Sequence, residues 1–407
     1  MRCLYLCPEH VLLTVLLVLI NSTCLAFEEE KDIDDITLFD ETFLDINADD
    51  FRKSQDLAWL DSLSGWRMGG GSTATDYLFL QTDLKLNHQL SDSLYFGLDL
   101  NQYDFYTSNP LEAPLIFVDV YPFKAVDIGF SFIGTAAVDK RQADLGFAFT
   151  VGRRPRNYVR FSWLSQDHYF NEKNSIDDAY YDEPGERMML QGLYDFGKHW
   201  EISFDFEKET PSKYVFDDQV THFNNEFGNY LTSVIYHINA HAFSGIDIHT
   251  MNRDKTLSDA TRNETQEVDY FMVDVYWVNG VDQEYELTVG VRYDDFEEAF
   301  RDRVNQARDY NFQLWTAQAY SSVYHSYSVH QAWDMGLYLG WSERDKIYLT
   351  SSNADDLNEG VQAKLRGSWE YHSADKKSQL DFSISLNLDD LFSDPGDGGG
   401  INFQTLF

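Results

Sequence analysis

From residue 64 to its end the sequence keeps a period of two, the spacing at which successive strand side chains point to opposite faces. In 379–388, Leu380, Phe382, Ile384, Leu386 and Leu388 share one face, and Gln379, Asp381, Ser383, Ser385 and Asn387 the other. The stretch 284–293 sets Tyr285, Leu287, Val289, Val291 and Tyr293 against Glu284, Glu286, Thr288, Gly290 and Arg292. In 329–341 the apolar face carries Trp333, Met335, Leu337, Leu339 and Trp341, and the other Asp334, Gly336 and Tyr338. Trp200, Ile202, Phe204 and Phe206 alternate likewise with Glu201, Ser203, Asp205 and Glu207. Segments of about ten residues match a strand tilted through a bilayer. A soluble sandwich or a propeller also alternates, so the period alone does not place the chain in a membrane.

The connections do more to place it. Short ones, at 87–93, 152–157, 196–199, 239–241, 278–283, 325–327 and 373–378, are expected to alternate with long ones at 167–186, 207–228, 251–267, 294–310 and 342–359. Outer-membrane barrels put short turns on the periplasmic side and long loops outside. For the strand near 77–88 to run inward, an earlier outward strand is needed, and 65–73 is the candidate despite its glycines. The predicted fold is therefore all-β: an antiparallel up-and-down transmembrane barrel of about 18 strands, with 16 as the alternative count. Trp163, Trp200, Trp277, Trp341 and Trp369 fall near predicted strand ends, where aromatic girdles sit.

Both ends of the chain fit an exported barrel. Residues 1–26 read as a signal peptide: Arg2, an apolar stretch at 11–20 too short to span about 30 Å of hydrocarbon, and small residues at Cys24 and Ala26. All three cysteines (Cys3, Cys7, Cys24) lie within it, so the mature chain is expected to have neither disulfide nor thiol ligand. Residues 27–63 form an acidic periplasmic tail, with eleven acids against Lys31 in 27–50 and a short helix expected over 48–63. Residues 64–407 form the barrel. At its end Ile401, Phe403, Thr405 and Phe407 share one face. This resembles the C-terminal signal of outer-membrane proteins, in which alternating apolar residues finish on a terminal aromatic. The resemblance implies that Ile401, Phe403 and Phe407 are read by the barrel-assembly machinery, and it covers architecture without identifying a family.

A net charge of −37 excludes nucleic acid as a partner, because such binding is built from Lys and Arg on phosphates. A mean hydropathy of −0.42, with no later long apolar run, excludes a helical membrane protein. It leaves a barrel open, since barrel strands give only alternate residues to lipid. Expected partners are outer-membrane lipid and lipopolysaccharide together with the assembly machinery. Nothing in the sequence sets an oligomeric state.

If the polar face of each strand is the lumen, the pore is lined by Asp83, Asp99, Glu201, Asp205, Asp274, Glu284, Glu286, Asp334 and Asp381. Arg292, Lys364 and Arg366 are the opposing bases. Asp144, Glu207 and Glu370 extend the acids, Lys85 and Arg160 the bases, and the excess of acids predicts a bias towards cations. The alternative is that these charges pair with one another and fill the interior. Tyr95, Tyr103, Tyr158, Tyr270, Tyr276 and Tyr338 fall on the same face and are read as structural rather than sugar-stacking. Arg153, Arg154 and Arg156 read as a turn cluster at the periplasmic rim.

Enzyme readings are unfavourable. The nearest approach to a serine hydrolase is His237, His241, Ser244 and His249, without the His-x-Ser-Asn-Gly arrangement of barrel phospholipases, and a turn is the better account. No zinc, P-loop or dinucleotide pattern occurs, so neither metal nor cofactor is expected. The glycine-rich 394–400 is read as a turn, and a tail of this length is too short for the globular plug of an energised receptor. The leading expectation is a channel for passive or partner-assisted passage of hydrophilic solutes. An exopolysaccharide export conduit and a non-transporting surface-binding barrel are the alternatives.

Overall fold

A computed structural model describes residues 64–73, 78–105, 115–122, 127–135, 145–153, 156–165, 180–215, 222–259, 261, 263–349, 356–375, 377–388 and 396–406. All of them belong to one compact unit, Glu41–Phe407. The signal peptide, the acidic tail, Tyr103 on its side chain, Asp144, Arg154 and Phe407 fall outside what is described.

The first strands are β1 (Gly65–Thr73), β2 (Leu78–Ser91), β3 (Leu94–Phe105), β4 (Leu115–Val120), β5 (Ile128–Thr135), β6 (Leu145–Arg153) and β7 (Arg156–Ser165). Then come β8 (Tyr180–Glu183), β9 (Glu186–Phe196), β10 (Trp200–Val215), β11 (His222–Asn239), β12 (Ala242–Ser258) and β13 (Asn263–Asn279). The series ends with β14 (Tyr285–Asp302), β15 (Tyr310–Ser328), β16 (Gln331–Tyr348), β17 (Asp356–His372), β18 (Ser378–Asn387) and β19 (Gly396–Leu406).

Each strand pairs antiparallel with its neighbours, and β1 pairs with β19, closing the sheet. β8 and β9, separated by Pro184 and Gly185, both pair with β10 and act as two halves of one wall strand. The wall is thus a closed barrel of 18 strands. Closure removes the unpaired edges that such long strands would otherwise expose. The weak, glycine-rich 65–73 is indeed the first strand, and its partner is equally glycine-rich: Gly71 faces Gly400, with Gly70 opposite Ile401.

The outward face is apolar and exposed. Phe132 is 72% accessible and Val361 62%, with Phe147, Val151, Ile246, Val275, Val291, Leu339 and Ile384 similarly open. An exterior of large exposed apolar side chains around a polar interior inverts the soluble pattern and needs lipid outside. Aromatics bracket this band. Trp200 packs on Tyr236 (4.8 Å), Tyr285 stacks on His325 (4.2 Å) and Trp369 meets Phe382 (5.8 Å) at the short-turn end. Phe271, Tyr293 and Trp315 form the other edge. The short-turn end is taken as periplasmic.

Four expectations need correction, the first being the turn read at 394–400, of which 396–400 belong to β19. Strands β10 to β17 run 16 to 19 residues rather than about ten. Most of the long loops expected at 207–228, 251–267, 294–310 and 342–359 are therefore strand that continues past the outer girdle. The turn expected at 325–327 lies at 329–330, because β15 continues to Ser328. Glu284 is no part of a strand: it sits in the turn 280–284, which Gly280 enters with φ +95, a conformation open to glycine.

Past the girdle the apolar phase inverts. On β14 the outward residues are Tyr285, Leu287, Val289, Val291 and Tyr293, then Asp295 and Glu297. Inward, Thr288, Arg292 and Asp294 give way to Phe296 and Phe300. β13 does the same, with outward Asp269 and Glu267 opposite inward Val268. Phe296 and Val268 are each 1% accessible, and Phe296 meets Phe312 edge-on at 5.9 Å. The extension is built like a soluble sheet, apolar within and polar without.

Candidate functional site

The inner face at membrane level is a charged, hydrogen-bonded wall. In one cross-strand row Ser233, Asp247, Asp274 and Arg292 stand directly opposite one another on β11 to β14. Asp247 accepts from the Ser233 hydroxyl (2.7 Å), and Asp274 from the Tyr320 hydroxyl (2.9 Å). Arg292 clasps Asp294 through Nε and Nη2 (2.8 Å each), and the Tyr270 hydroxyl donates to the same carboxylate at 2.9 Å. Buried carboxylates are tolerable only when so satisfied.

The tyrosines lie against the wall. A Cβ on Gly245 would stand 2.2 Å from the Tyr276 ring, and one on Gly290 2.5 Å from Tyr320. These glycines leave the notches in which the rings lie, and Tyr320 stacks on Tyr338 at 5.6 Å. All three rings are buried, so they brace the wall and present no open face to a passing sugar.

Across β4 to β10 the charges pair. Arg160 reaches Asp119 at 3.0 Å, the Ser131 hydroxyl donates to the same carboxylate, and Arg160 lies over the Phe117 ring. Arg156 bridges Asp195 and Glu201, both at 3.2 Å, while Arg187 meets Glu207. Asp205 accepts from Gln191 at 3.1 Å. Arg153 stands at the rim, ion-paired to Asp127 at 2.7 Å.

The residues singled out from the sequence fall as follows. Glu201, Asp205, Asp274, Glu286, Arg292, Asp334, Lys364, Arg366 and Asp381 occupy the face opposite the lipid-exposed residues of their strands. Asp334, Arg366 and Glu370 are buried there, Glu370 completely, with His372 Nε2 at 3.1 Å from it. Asp83 and Asp99 lie on β2 and β3, with side chains outside the described residues. Glu284 is not in the wall at all: it is exposed in its turn, 3.3 Å from His325 on the outer face. Ile401 and Phe403 lie on β19, Phe403 edge-on to Trp66 at 5.4 Å.

The histidine and serine group does not assemble into a hydrolase. His249 is on the inner face, bonded to Asn229 at 2.6 Å, whereas Ser244 is on the outer face of the same strand. His241 sits in a turn with its Nδ1 at 3.0 Å from the Val281 carbonyl. Among the described residues no group of His, Cys, Asp or Glu is placed to hold a metal.

Sequence reasoning missed Asp119, Asp247 and Asp294. It also missed Arg253, Lys255, Arg344 and Lys346, which face inward on the extensions of β12 and β16. One signal was available: the triplet Arg-Asp-Lys occurs at both 253–255 and 344–346. Alternation within each triplet puts the bases on one face and the acid on the other.

No protein-family model and no curated protein matches the chain. Solved structures give weak likenesses. A bacterial polysaccharide outer-membrane secretin has TM-score 0.39 and 12% identity, covering 85% of this chain and 99% of that one. OccAB3 from Acinetobacter baumannii has TM-score 0.37 and 8% identity, covering 84% and 98%. The translocator domain of the autotransporter NalP from Neisseria meningitidis has TM-score 0.36 and 8% identity, covering 91% and 100%. Likenesses at this level carry nothing about substrate. The closed wall, lipid-facing exterior and paired girdles are themselves those of a β-barrel of the bacterial outer membrane.

Proposed function

We propose that this protein is a channel for hydrophilic solutes across the outer membrane, biased towards cations at membrane level. The observation that carries the reading is the inner wall of β12 to β18. There Asp247, Asp274, Asp294, Asp334 and Glu370 are buried on the lumen face, with Arg292 and Arg366 as the buried bases beside them. A wall in which buried acids outnumber buried bases attracts cations and repels anions.

The test is ion selectivity in planar bilayers across a salt gradient. The wild type is expected to conduct, with a reversal potential displaced towards cations. Asp247→Asn combined with Asp274→Asn should move it back towards zero. Absence of conductance, or a potential unmoved by the double variant, would sink the reading. Sidedness has its own test. An epitope at Asp259, just past the end of β12, should be reachable on intact cells, as should one at Asn174, whereas one at Gly280 should not.

A further inference from the structure

We infer that the inner face of the extracellular extension, between the Arg-Asp-Lys triplets of β12 and β16, is a docking surface for an extended anionic glycan.

The placement follows from the register. One row across the extension reads Arg253, Val268, Glu298, Phe312, Lys346, each directly opposite the next. The row below it reads Met251, Tyr270, Phe296, Leu314, Arg344, and the row above Lys255, Gln266, Phe300, Tyr310, Tyr348. The bases therefore stand in two ridges with an apolar and aromatic floor between them.

On the β16 side the cations lie on the floor. Lys346 Nζ is 4.3 Å from the Tyr310 centroid, and the Arg344 guanidinium 5.8 Å from that of Phe312. Such stacking holds a cation in place without cancelling its charge. The four bases keep partial access to solvent, while Phe296, Phe300 and Phe312 are buried beneath.

Among the described residues, Glu209 acts on Arg253, and three inward acids of the extension are already engaged. Glu298 accepts from Gln266 and from the Tyr310 hydroxyl (2.8 Å), and Arg308 holds Glu264 (2.5 Å) and Asp302 (3.3 Å). The outer face of the same strands is acidic, with Asp254, Glu267, Asp269, Asp295, Glu297, Glu343 and Asp345. A polyanion is thus repelled outside and drawn within.

The geometry also narrows the ligand. Four strand spacings of about 4.8 Å put the ridges roughly 19 Å apart, beyond the reach of a single small anion. Single-stranded nucleic acid needs open aromatic faces on which bases stack. Here the rings of Phe296, Phe300 and Phe312 are buried and Tyr310 carries Lys346 on its face, which favours a chain whose charges alone make the contacts. The acids of the membrane-level lumen below oppose passage of the same polymer. The surface is accordingly a docking site at the mouth and does not depend on the channel reading.

Burial, reinforced by Arg253 alongside and opposed by Glu298, lowers Lys255 to about 7, beyond the lipid band of β12. An arriving carboxylate would favour its ammonium form, so binding should take up a proton and tighten as pH falls from about 8 to 6. Arg253, lowered by burial to about 10, stays charged throughout. Of the neighbouring strands, β11 presents Asn225 to Lys255 and β13 presents Gln266, neither of which titrates there.

The test is direct binding of oligogalacturonate to the full-length barrel in detergent, followed by calorimetry, with a neutral oligosaccharide of equal length and a single-stranded oligonucleotide alongside. Expected are binding of the acidic sugar alone, weakening with salt, and loss of about tenfold in affinity for Lys255→Gln with Lys346→Gln. Lys346→Gln alone, at a position with partial access to solvent, keeps the test open if the double variant does not fold. The outward Asp345→Asn should bind unchanged or slightly tighter. No binding to wild type, equal binding of the neutral sugar or the oligonucleotide, or indifference to both lysine variants would overturn the assignment. Binding without conductance would leave it standing and remove only the channel.

Discussion

Outward-facing residues of β14 between 285 and 293 are apolar and bracketed by tyrosines, whereas two positions further on they are Asp295 and Glu297. Inward, the same strand passes from Thr288 and Arg292 to Phe296 and Phe300. Nothing in the backbone marks the change, since pairing with β13 and β15 continues in register through it. What changes is the solvent. Lipid outside rewards an apolar exterior, and water outside rewards an apolar interior. The outer membrane surface is therefore written along the strand as a shift of phase.

Substitutions on either side of that level can break the comparison. The largest effect is expected for Phe296→Ala, which removes a fully buried ring from the extension's core and should cost about 3–5 kcal/mol. Urea unfolding in lipid vesicles measures it. A loss below about 1 kcal/mol would mean that the extension has no packed core.

Next is the pair Val289→Arg and Glu297→Arg, on the same outward face of one strand. The first puts a charge into the lipid band and should cost about 2–4 kcal/mol, the second close to zero. Equal costs would show that the band extends past the girdle. A smaller effect is expected at the outer girdle from Tyr293→Ala, which removes the ring between Phe271 and Trp315 and should cost about 0.5–1.5 kcal/mol beyond lost area.

The smallest sits at the other boundary. The Ser373 hydroxyl and the Lys377 N–H, both donating to Asp375, hold its carboxyl below the usual range in the turn between β17 and β18. A carboxylate whose pKa is depressed by folding adds stability above its unfolded value, near 3.8, and loses it as pH falls through the lower folded value. Asp375→Asn should accordingly flatten a slight acid dependence below about pH 4. An unchanged profile would show that the turn hydrogen bonds do not persist in solution.

The phase shift also accounts for what was legible beforehand. The membrane-level strands were readable because one phase held over about ten residues, and 65–73 emerged as a strand because the inward strand after it needs an outward one before it. The extensions were read as loops because Asp294 and Asp295 end one phase and Phe296 begins the other. A pattern anchored to a single phase stops there. Lumen faces followed from alternation, but partners did not: Arg156 and Glu201 lie 45 residues apart and meet only through strand pairing. Glu284 misled because the alternation runs on one residue into the turn.

The seam between β1 and β19 has a consequence for how the barrel is made. Every other pairing joins strands near in sequence and can form as a hairpin, whereas this one must bring Gly65 to Leu406, the longest loop closure in the wall. In its outer half Gly71 meets Gly400 and Ser72 meets Gly399, with almost no side chains to interlock. Closing the ring is thus the pairing with the most chain entropy to overcome. At the outer end of the seam the backbone ladder does the holding, and at the short-turn end the Trp66–Phe403 contact adds to it.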